Sequence, residues 1–436
     1  MTNRIGRIGT AIRRMRRLQS ALLRILMVAG VAGCRHTPSG DGTLPPGAHA
    51  YRFARLVDGD GVVTNDAVIV VADDRIVRVG SGNTAVPGGV AVTDLRPLTA
   101  IPGMVDLHTH MTYWWDHAPG TRPFGGPQTP RTREQLATAA MENARLTLET
   151  GVTTVRDLGA GRYTDILMRD RINRGDAVGP RMFVAGSGLS RRQNTPLTLA
   201  QIDAFVKTQV DSGADVIKMY GSRGTGADTS TTQTFAYEEM KAAVDAAHRL
   251  SRRIAIHSYG APGGRDAARA GANTIEHAIE LDDATLALMA RQGTVYVPTI
   301  DHNRYYADFR ADYAYTDAQA KGLDEYRAKN LETARRAIRA GVKLGMGSDA
   351  VHMMFGQNTR ELGFFVQAGM TPEQALGAAT VNGAEVLGMS DRIGRVAPGY
   401  FADIVAVGGD PRSDIDVILR GVRWVLKGGA VVVDKR

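Results

Sequence analysis

The sequence predicts an α/β protein, a (β/α)8 TIM barrel with a small β-sandwich domain assembled from both chain ends. Three observations carry this prediction. Short apolar strands alternate with amphipathic helices through the middle of the chain. Runs of β-prone residues punctuated by turn signals occur near its two ends. The middle holds eight strand-helix units in roughly 290 residues, the size of such a barrel.

The chain opens on a different kind of segment. Its first 33 residues contain seven arginines (Arg4, Arg7, Arg13, Arg14, Arg16, Arg17, Arg24) and no Lys, Asp or Glu. Seven of the eight net positive charges therefore belong to this leader, and the rest of the chain is close to neutral. That balance argues against a nucleic-acid partner. A basic stretch followed by "ALLRILMVAGVAGC" reads as a signal peptide over 1–33, too short and too charged for a comfortable membrane span. "VAGC" at 31–34 resembles a bacterial lipobox, which makes Cys34, the single cysteine of the chain, a candidate lipidation site. The other reading of Cys34 is an incidental thiol behind an ordinary signal peptide. "RRMRRL" leaves open whether export is by the general or the twin-arginine route. Residues 34–50, rich in Gly, Pro and polar side chains, read as a tether. Arg35 after the cysteine fits an outer-membrane lipoprotein facing the periplasm.

Residues 51–100 predict the N-terminal part of the β domain through "YRFARLVDG", "DAVIVVADDRIVRVG" and "VAVTDLRP". Residues 101–390 predict the barrel, with strands at "GMVDLHTH", "VTTVRDLG", "RMFVAGSG", "DVIKMYG", "RIAIHSYG", "TIEHAI", "TVYVPTI" and "VKLGMGSD". Helices are expected between them at "REQLATAAMENARLTLETG", "TFAYEEMKAAVDAAHRLSR", "DDATLALMARQG" and "LETARRAIRAG", several ending at a glycine suited to a left-handed cap. Residues 391–436 return to β texture with "ADIVAVGGDP", "IDVILRGVRWVLKGG" and "AVVVDKR". An open doubly wound sheet is the alternative, but no G-x-G-x-x-G turn follows the first strand.

Barrel chemistry lies at the carboxyl ends of the strands. There the sequence carries His108 and His110, Lys218, His257, His277 and Asp349. Side chains two apart share one face of a strand, so His-x-His can present two imidazoles to one ion. An isolated pair would more simply be two core histidines. With two further histidines and an aspartate at the same rim, imidazole and carboxylate suit zinc or a related divalent ion. Lys218 by itself reads as a snorkelling side chain. Beside metal ligands, a desolvated amine can add carbon dioxide, and the carbamate can bridge two metals. His248, in a helix, and His36 and His49, in the tether, are expected to be structural or surface residues.

"PGMVDLHTH", "VIKMY", "IAIHSYG", "NTIEHA" and "LGMGSDA", with the long stretch "ALGAATVNGAEVLGMSDRIGRVAPGYFADIVAVGGDP", resemble the metal-dependent amidohydrolase superfamily. The likeness points to its imidazolonepropionase-like subgroup, near Xaa-Pro dipeptidases and ochratoxin-hydrolysing amidases, and covers the chain from about residue 50 to 436. It implies two divalent metals, zinc foremost, one held by His108, His110 and Asp349 and the other by His257 and His277. Carboxylated Lys218 and a hydroxide would lie between them, with Asp349 also carrying the proton.

Substrate contacts are less sharply marked. Tyr220 and Tyr259 can donate to a developing oxyanion or simply pack at the rim. Arg223 can clamp a carboxylate or remain solvated. His302 and His352 are pocket candidates, and His117 with Trp114 and Trp115 would shape the entrance. The expected function is hydrolysis of an amide next to a carboxylate, in an Xaa-Pro dipeptide, an N-acyl amino acid or an ochratoxin-type amide. The rivals are a cyclic amide or lactone hydrolase and a non-catalytic solute-binding lipoprotein. The expected partner is a small-molecule substrate, with membrane contact only through the lipid anchor and a homo-oligomer possible.

Overall fold

Both chain ends meet in one mixed sheet of eight strands. The computed structural model describes residues 44–436 apart from 87, 124–125, 192–195 and 227. The expected signal peptide, Cys34, His36 and most of the tether lie outside the described residues. The N-terminal strands are β1 (His49–Val57), β2 (Val63–Ala72), β3 (Arg75–Ser81), β4 (Ala91–Asp94) and β5 (Thr99–Pro102). β2 and β3 form a hairpin whose turn includes Asp73 at φ 51°, a left-handed conformation that Asp tolerates. β1 pairs with β2 on one side, and on the other it pairs first with β4 and then with β5. His49 is part of β1 and bonds Thr93 Oγ1 at 2.8 Å, so the tether expected to reach residue 50 ends earlier.

The parallel strands follow as β6 (Met104–Thr109), β7 (Val152–Asp157), β8 (Arg181–Val184), β9 (Val216–Tyr220), β10 (Arg253–Ser258), β11 (Thr274–His277) and β12 (Val295–Val297). The chain closes with β13 (Ile404–Val407), β14 (Val422–Lys427) and β15 (Ala430–Asp434). Antiparallel pairing of β5 with β13, Ile101 opposite Val405, joins the two ends. They also share a core. Trp424 lies 5.0 Å from Tyr51 and 6.2 Å from Phe53 between ring centroids, and Leu56, Ile69, Ile404 and Leu426 fill the space around them.

The parallel strands form two sheets, β6-β7-β8 and β12-β11-β10-β9, almost wholly buried because helices cover them. Isolated parallel bridges run from Leu189 to Met219, from Tyr296 to Leu344 and from Thr109 to Ala350. The eighth expected strand, "VKLGMGSD", is not a regular strand. Its backbone is bonded on both sides, to Tyr296 O from Gly345 N at 3.0 Å and from Leu107 N to Met346 O at 2.8 Å. Asp349, at φ 52°, ends the extended run. A Cβ at Gly347 would lie 2.4 Å from Val297 Cγ1, so only glycine lets the backbone pass so close.

The first expected helix is two, Arg133–Ala139 and Met141–Glu149, meeting at Ala140. "LETARRAIRAG" is the last half of the 23-residue helix Asp317–Arg339. Its first half buries only the stripe Leu323, Tyr326 and Asn330 and contains Gly322, which makes it a weak helix signal in sequence. This helix supports the site's surroundings: Tyr326 O–H donates to Tyr259 O at 3.1 Å, and Asn330 Nδ2 donates to Pro298 O at 2.7 Å. A capping box starts it, with Gln319 N donating to Thr316 Oγ1 at 3.2 Å and Thr316 N to Gln319 Oε1 at 2.9 Å. Thr316→Ala is expected to lower stability by about 1 kcal/mol, read as an earlier urea midpoint at unchanged slope.

Candidate active site

Five metal-ligand candidates, His108, His110, His257, His277 and Asp349, sit near the carboxyl ends of the parallel strands or just past them, whereas Lys218, expected at a strand end, is the middle residue of β9 because that strand runs on to Tyr220; all six are buried. Asp349 Oδ1 lies 3.3 Å from His110 Nε2 and 3.5 Å from His108 Nε2. Its Oδ2 lies 4.0 Å from His277 Nε2. His108, His277 and Asp349 each offer a ligand atom within 4.8 Å of the others. His257 closes the group, its ring centroid 4.5 Å from that of His277. Lys218 Nζ lies 3.3 Å from His108 Nε2.

Whether these residues fit a metal is decided by their other nitrogens. His108 Nδ1 donates to Glu276 Oε2 at 2.8 Å, His110 Nδ1 to Gly159 O at 2.9 Å and His257 Nε2 to Gly224 O at 2.9 Å. Carboxylates and carbonyls only accept, so these three tautomers follow from their partners. His277 Nδ1 bonds Thr299 Oγ1 at 2.6 Å. Four imidazoles thus have one nitrogen held by the protein frame while the other is left to the centre of the group, where His108 Nε2 faces Lys218 Nζ and His110 Nε2 faces Asp349 Oδ1, the usual arrangement of rings around a bound divalent ion. Burial lowers His108 to about 4 and holds His257 and His277 well below the usual imidazole range, so the rings are neutral. Burial also lowers Lys218 to about 8. It would raise Asp349, but the imidazoles around it, His110 hydrogen-bonded to it among them, outweigh burial and hold the carboxyl well below the usual carboxylate range, while His110 is raised in turn.

The backbone is strained where the chemistry is. His277, Thr299, Asp349 and His352 all have φ between 46° and 73°, each at a cost of order 1–3 kcal/mol that surrounding contacts must offset.

The substrate-contact candidates divide. Tyr259 is buried, stacked on His257 at 5.0 Å and edge-on to His277 at 5.2 Å. Tyr220 stays beside Lys218, whose Nζ lies 5.1 Å from its ring centroid. Arg223 is exposed in the loop after β9. His302 is buried beside the metal-ligand candidates, its Nε2 3.2 Å from Asp349 Oδ2. His352 bonds Tyr313 OH through Nδ1 at 3.0 Å, and Tyr113 stacks between His352 and His110. His117 is exposed and packs on Trp115, while Trp114 lies under Arg131. His248 is exposed and bonds Asn273.

Sequence reasoning missed Glu276 and Arg156. Both had a signal, since a charge inside an apolar strand must find a partner. It also missed Asn303, whose Nδ2 is buried without a hydrogen-bond partner among the described residues, as is His302 Nδ1. The tyrosines 305, 306, 313 and 315, which cluster beyond β12, left no pattern to read.

Residues 99–432 match the amidohydrolase family. The chain is 28% identical over 418 residues to the ochratoxinase of Aspergillus niger, covering 86% of this chain and 84% of that protein. To the imidazolonepropionase of Symbiobacterium thermophilum it is 24% identical, covering 86% and 92%. Among solved structures, an Xaa-Pro dipeptidase with methionine bound in its active site superposes with a TM-score of 0.79 at 29% identity, over 88% of this chain and 99% of that one.

Proposed function

The chain belongs to the amidohydrolase family and is an enzyme that hydrolyses amides, and on that premise we propose a binuclear hydrolase acting on an amide next to a free carboxylate. We read the two parallel sheets, the bridges between them and the segment 343–350 as one closed (β/α)8 barrel over residues 101–390. We read the terminal strands, 51–100 and 391–436, as its β-sandwich companion, their single mixed sheet curling so that β14 packs its Trp424 on Tyr51 and Phe53 of β1. One observation carries the functional reading: four buried imidazoles, each with one ring nitrogen held by a hydrogen bond, surround Asp349 and Lys218.

His108, His110 and Asp349 would hold one ion and His257 and His277 the other, with Lys218 carboxylated between them and zinc the favoured metal. When bound, the ions supply an acidified water and a Lewis acid for the scissile carbonyl. Asp349 accepts the proton of the attacking water at a carboxylate oxygen and delivers it to the leaving nitrogen. Tyr259, whose phenol burial keeps protonated well into the alkaline range, donates to the carbonyl oxygen as charge develops there. Tyr220, Arg223, His302 and His352 are the contacts for the rest of the substrate, with Asn303, beside Tyr259, added to them.

The substrate class is an Xaa-Pro dipeptide, an N-acyl amino acid or an ochratoxin-type amide, a choice supported by the likeness to an ochratoxinase and an Xaa-Pro dipeptidase. Likeness to an imidazolonepropionase favours a cyclic amide or lactone as the second reading. A solute-binding protein without chemistry would tolerate the loss of a ligand or of Asp349, and none of the six expected residues is missing from the sequence. Rates on dipeptides, N-acyl amino acids and lactones, measured with metal content, decide among these. Preference for substrates lacking a carboxylate would overturn the first reading.

We propose further that residues 1–33 direct export and that the mature chain begins at a lipidated Cys34 in the outer membrane, facing the periplasm. Among the described residues no helix is long and apolar enough to cross a membrane. Cys34→Ser is expected to release active protein from the membrane fraction, checked by fractionation and by mass spectrometry of the N-terminus. An unmodified N-terminus elsewhere in membrane-extracted protein sinks the idea.

A further inference from the structure

We propose that Glu276, held by Arg156 and Thr274, is a positioning residue that fixes the tautomer of His108 and so sets metal affinity at that end of the site. This rests on the reading of His108 as a metal ligand. Three strands contribute: His108 from β6, Arg156 from β7 and Glu276 from β11. Glu276 Oε2 accepts from His108 Nδ1 at 2.8 Å, while Oε1 accepts from Arg156 Nη2 at 2.9 Å and from Thr274 Oγ1. Arg156 Nη1 donates to Thr274 Oγ1 at 3.0 Å, and its Nε donates to Leu107 O at 2.6 Å, tying down the carbonyl just before His108. Arg156 is 1% exposed and Glu276 0%.

A buried ion pair of this kind is a poor device for stability, because desolvation consumes most of the Coulombic gain. Its geometry does something else. The guanidinium can only donate, so it commits Oε1 and leaves Oε2 as an acceptor facing the ring. The ring must then carry its proton on Nδ1 and present its lone pair at Nε2, the atom that faces Asp349 Oδ1 at 3.5 Å and Lys218 Nζ at 3.3 Å.

Glu276→Gln keeps shape and removes one acceptor. Arg156 and Thr274 claim the amide oxygen, so the amide NH2 turns to His108 Nδ1. The ring must then accept at Nδ1 and carry its proton on Nε2, where it opposes ligation. Metal affinity should fall about ten- to a hundredfold. The double variant Arg156→Met/Glu276→Gln releases the amide oxygen to face His108 and should recover affinity toward wild type.

The experiment measures metal affinity by chelator competition in the full chain for wild type, Glu276→Gln, the double variant and His108→Ala. It adds the His108 tautomer from nitrogen chemical shifts in metal-free wild-type protein. The expected result is a proton on Nδ1, weakened binding in Glu276→Gln and recovery in the double variant. Wild-type affinity in Glu276→Gln, or a wild-type ring protonated on Nε2, overturns the proposal, and the second readout holds even if a variant does not fold. His108→Ala that keeps full metal content refutes the metal-ligand reading itself. His108→Ala that loses metal while Glu276→Gln does not refutes only the positioning role.

Discussion

Asp349→Asn is expected to fold, keep much of its metal and lose turnover by roughly two to four orders of magnitude, the contribution of a positioned acid-base group. The amide preserves the shape of the side chain and one oxygen, which can still face His108 and His110, 3.5 and 3.3 Å from Oδ1 in the native site. It cannot take up a proton. Asp349 is suited to that task because its carboxyl is held well below the usual carboxylate range despite its burial, with His110, raised in turn, hydrogen-bonded to it. The effect should appear in kcat, with KM changing far less, because the substrate contacts proposed for Tyr259 and Arg223 are untouched. A variant that hydrolyses amides at near wild-type rate with its metals in place would remove Asp349 from the role of proton carrier.

Lys218→Ala is expected to lose bound metal and activity together. The side chain is buried in the middle of β9, with Nζ 3.3 Å from His108 Nε2, and the ammonium is lowered to about 8 by burial, which leaves more neutral amine for carbon dioxide than an exposed lysine would. Truncation removes the proposed bridging oxygens and leaves a void beside the histidines. Short carboxylic acids should restore part of both metal content and rate by supplying oxygens in that void. Metal analysis and assays with and without added acetate or propionate test this. One ion per chain with full activity in the wild type, or an unmodified ammonium in a crystal of active enzyme, would rule out the carboxylated bridge.

Much of this protein is legible in its sequence because the signals are local. Strand-helix alternation marks the middle of the chain, and the period of two in "HTH" puts His108 and His110 on one face. An isolated His, Lys or Asp at the end of an apolar run marks a strand end where chemistry can gather, and the structure brings Lys218, His257, His277 and Asp349 together with the histidine pair. These features depend on residues within a few positions of one another.

Tertiary structure alone decided which nitrogen of each ring is free. His108 takes its tautomer from Glu276, 168 residues away, and Glu276 is held by Arg156, 120 residues away. His302 Nε2 comes within 3.2 Å of Asp349 Oδ2, and "VKLGMGSD" is bonded on both sides without becoming a regular strand. A residue's type tells what it can donate, accept or ligate, but which of its atoms does so depends on distances fixed by strands that become neighbours only when the chain folds. The sequence therefore names the chemical groups of this site, and the packing of distant strands orients them.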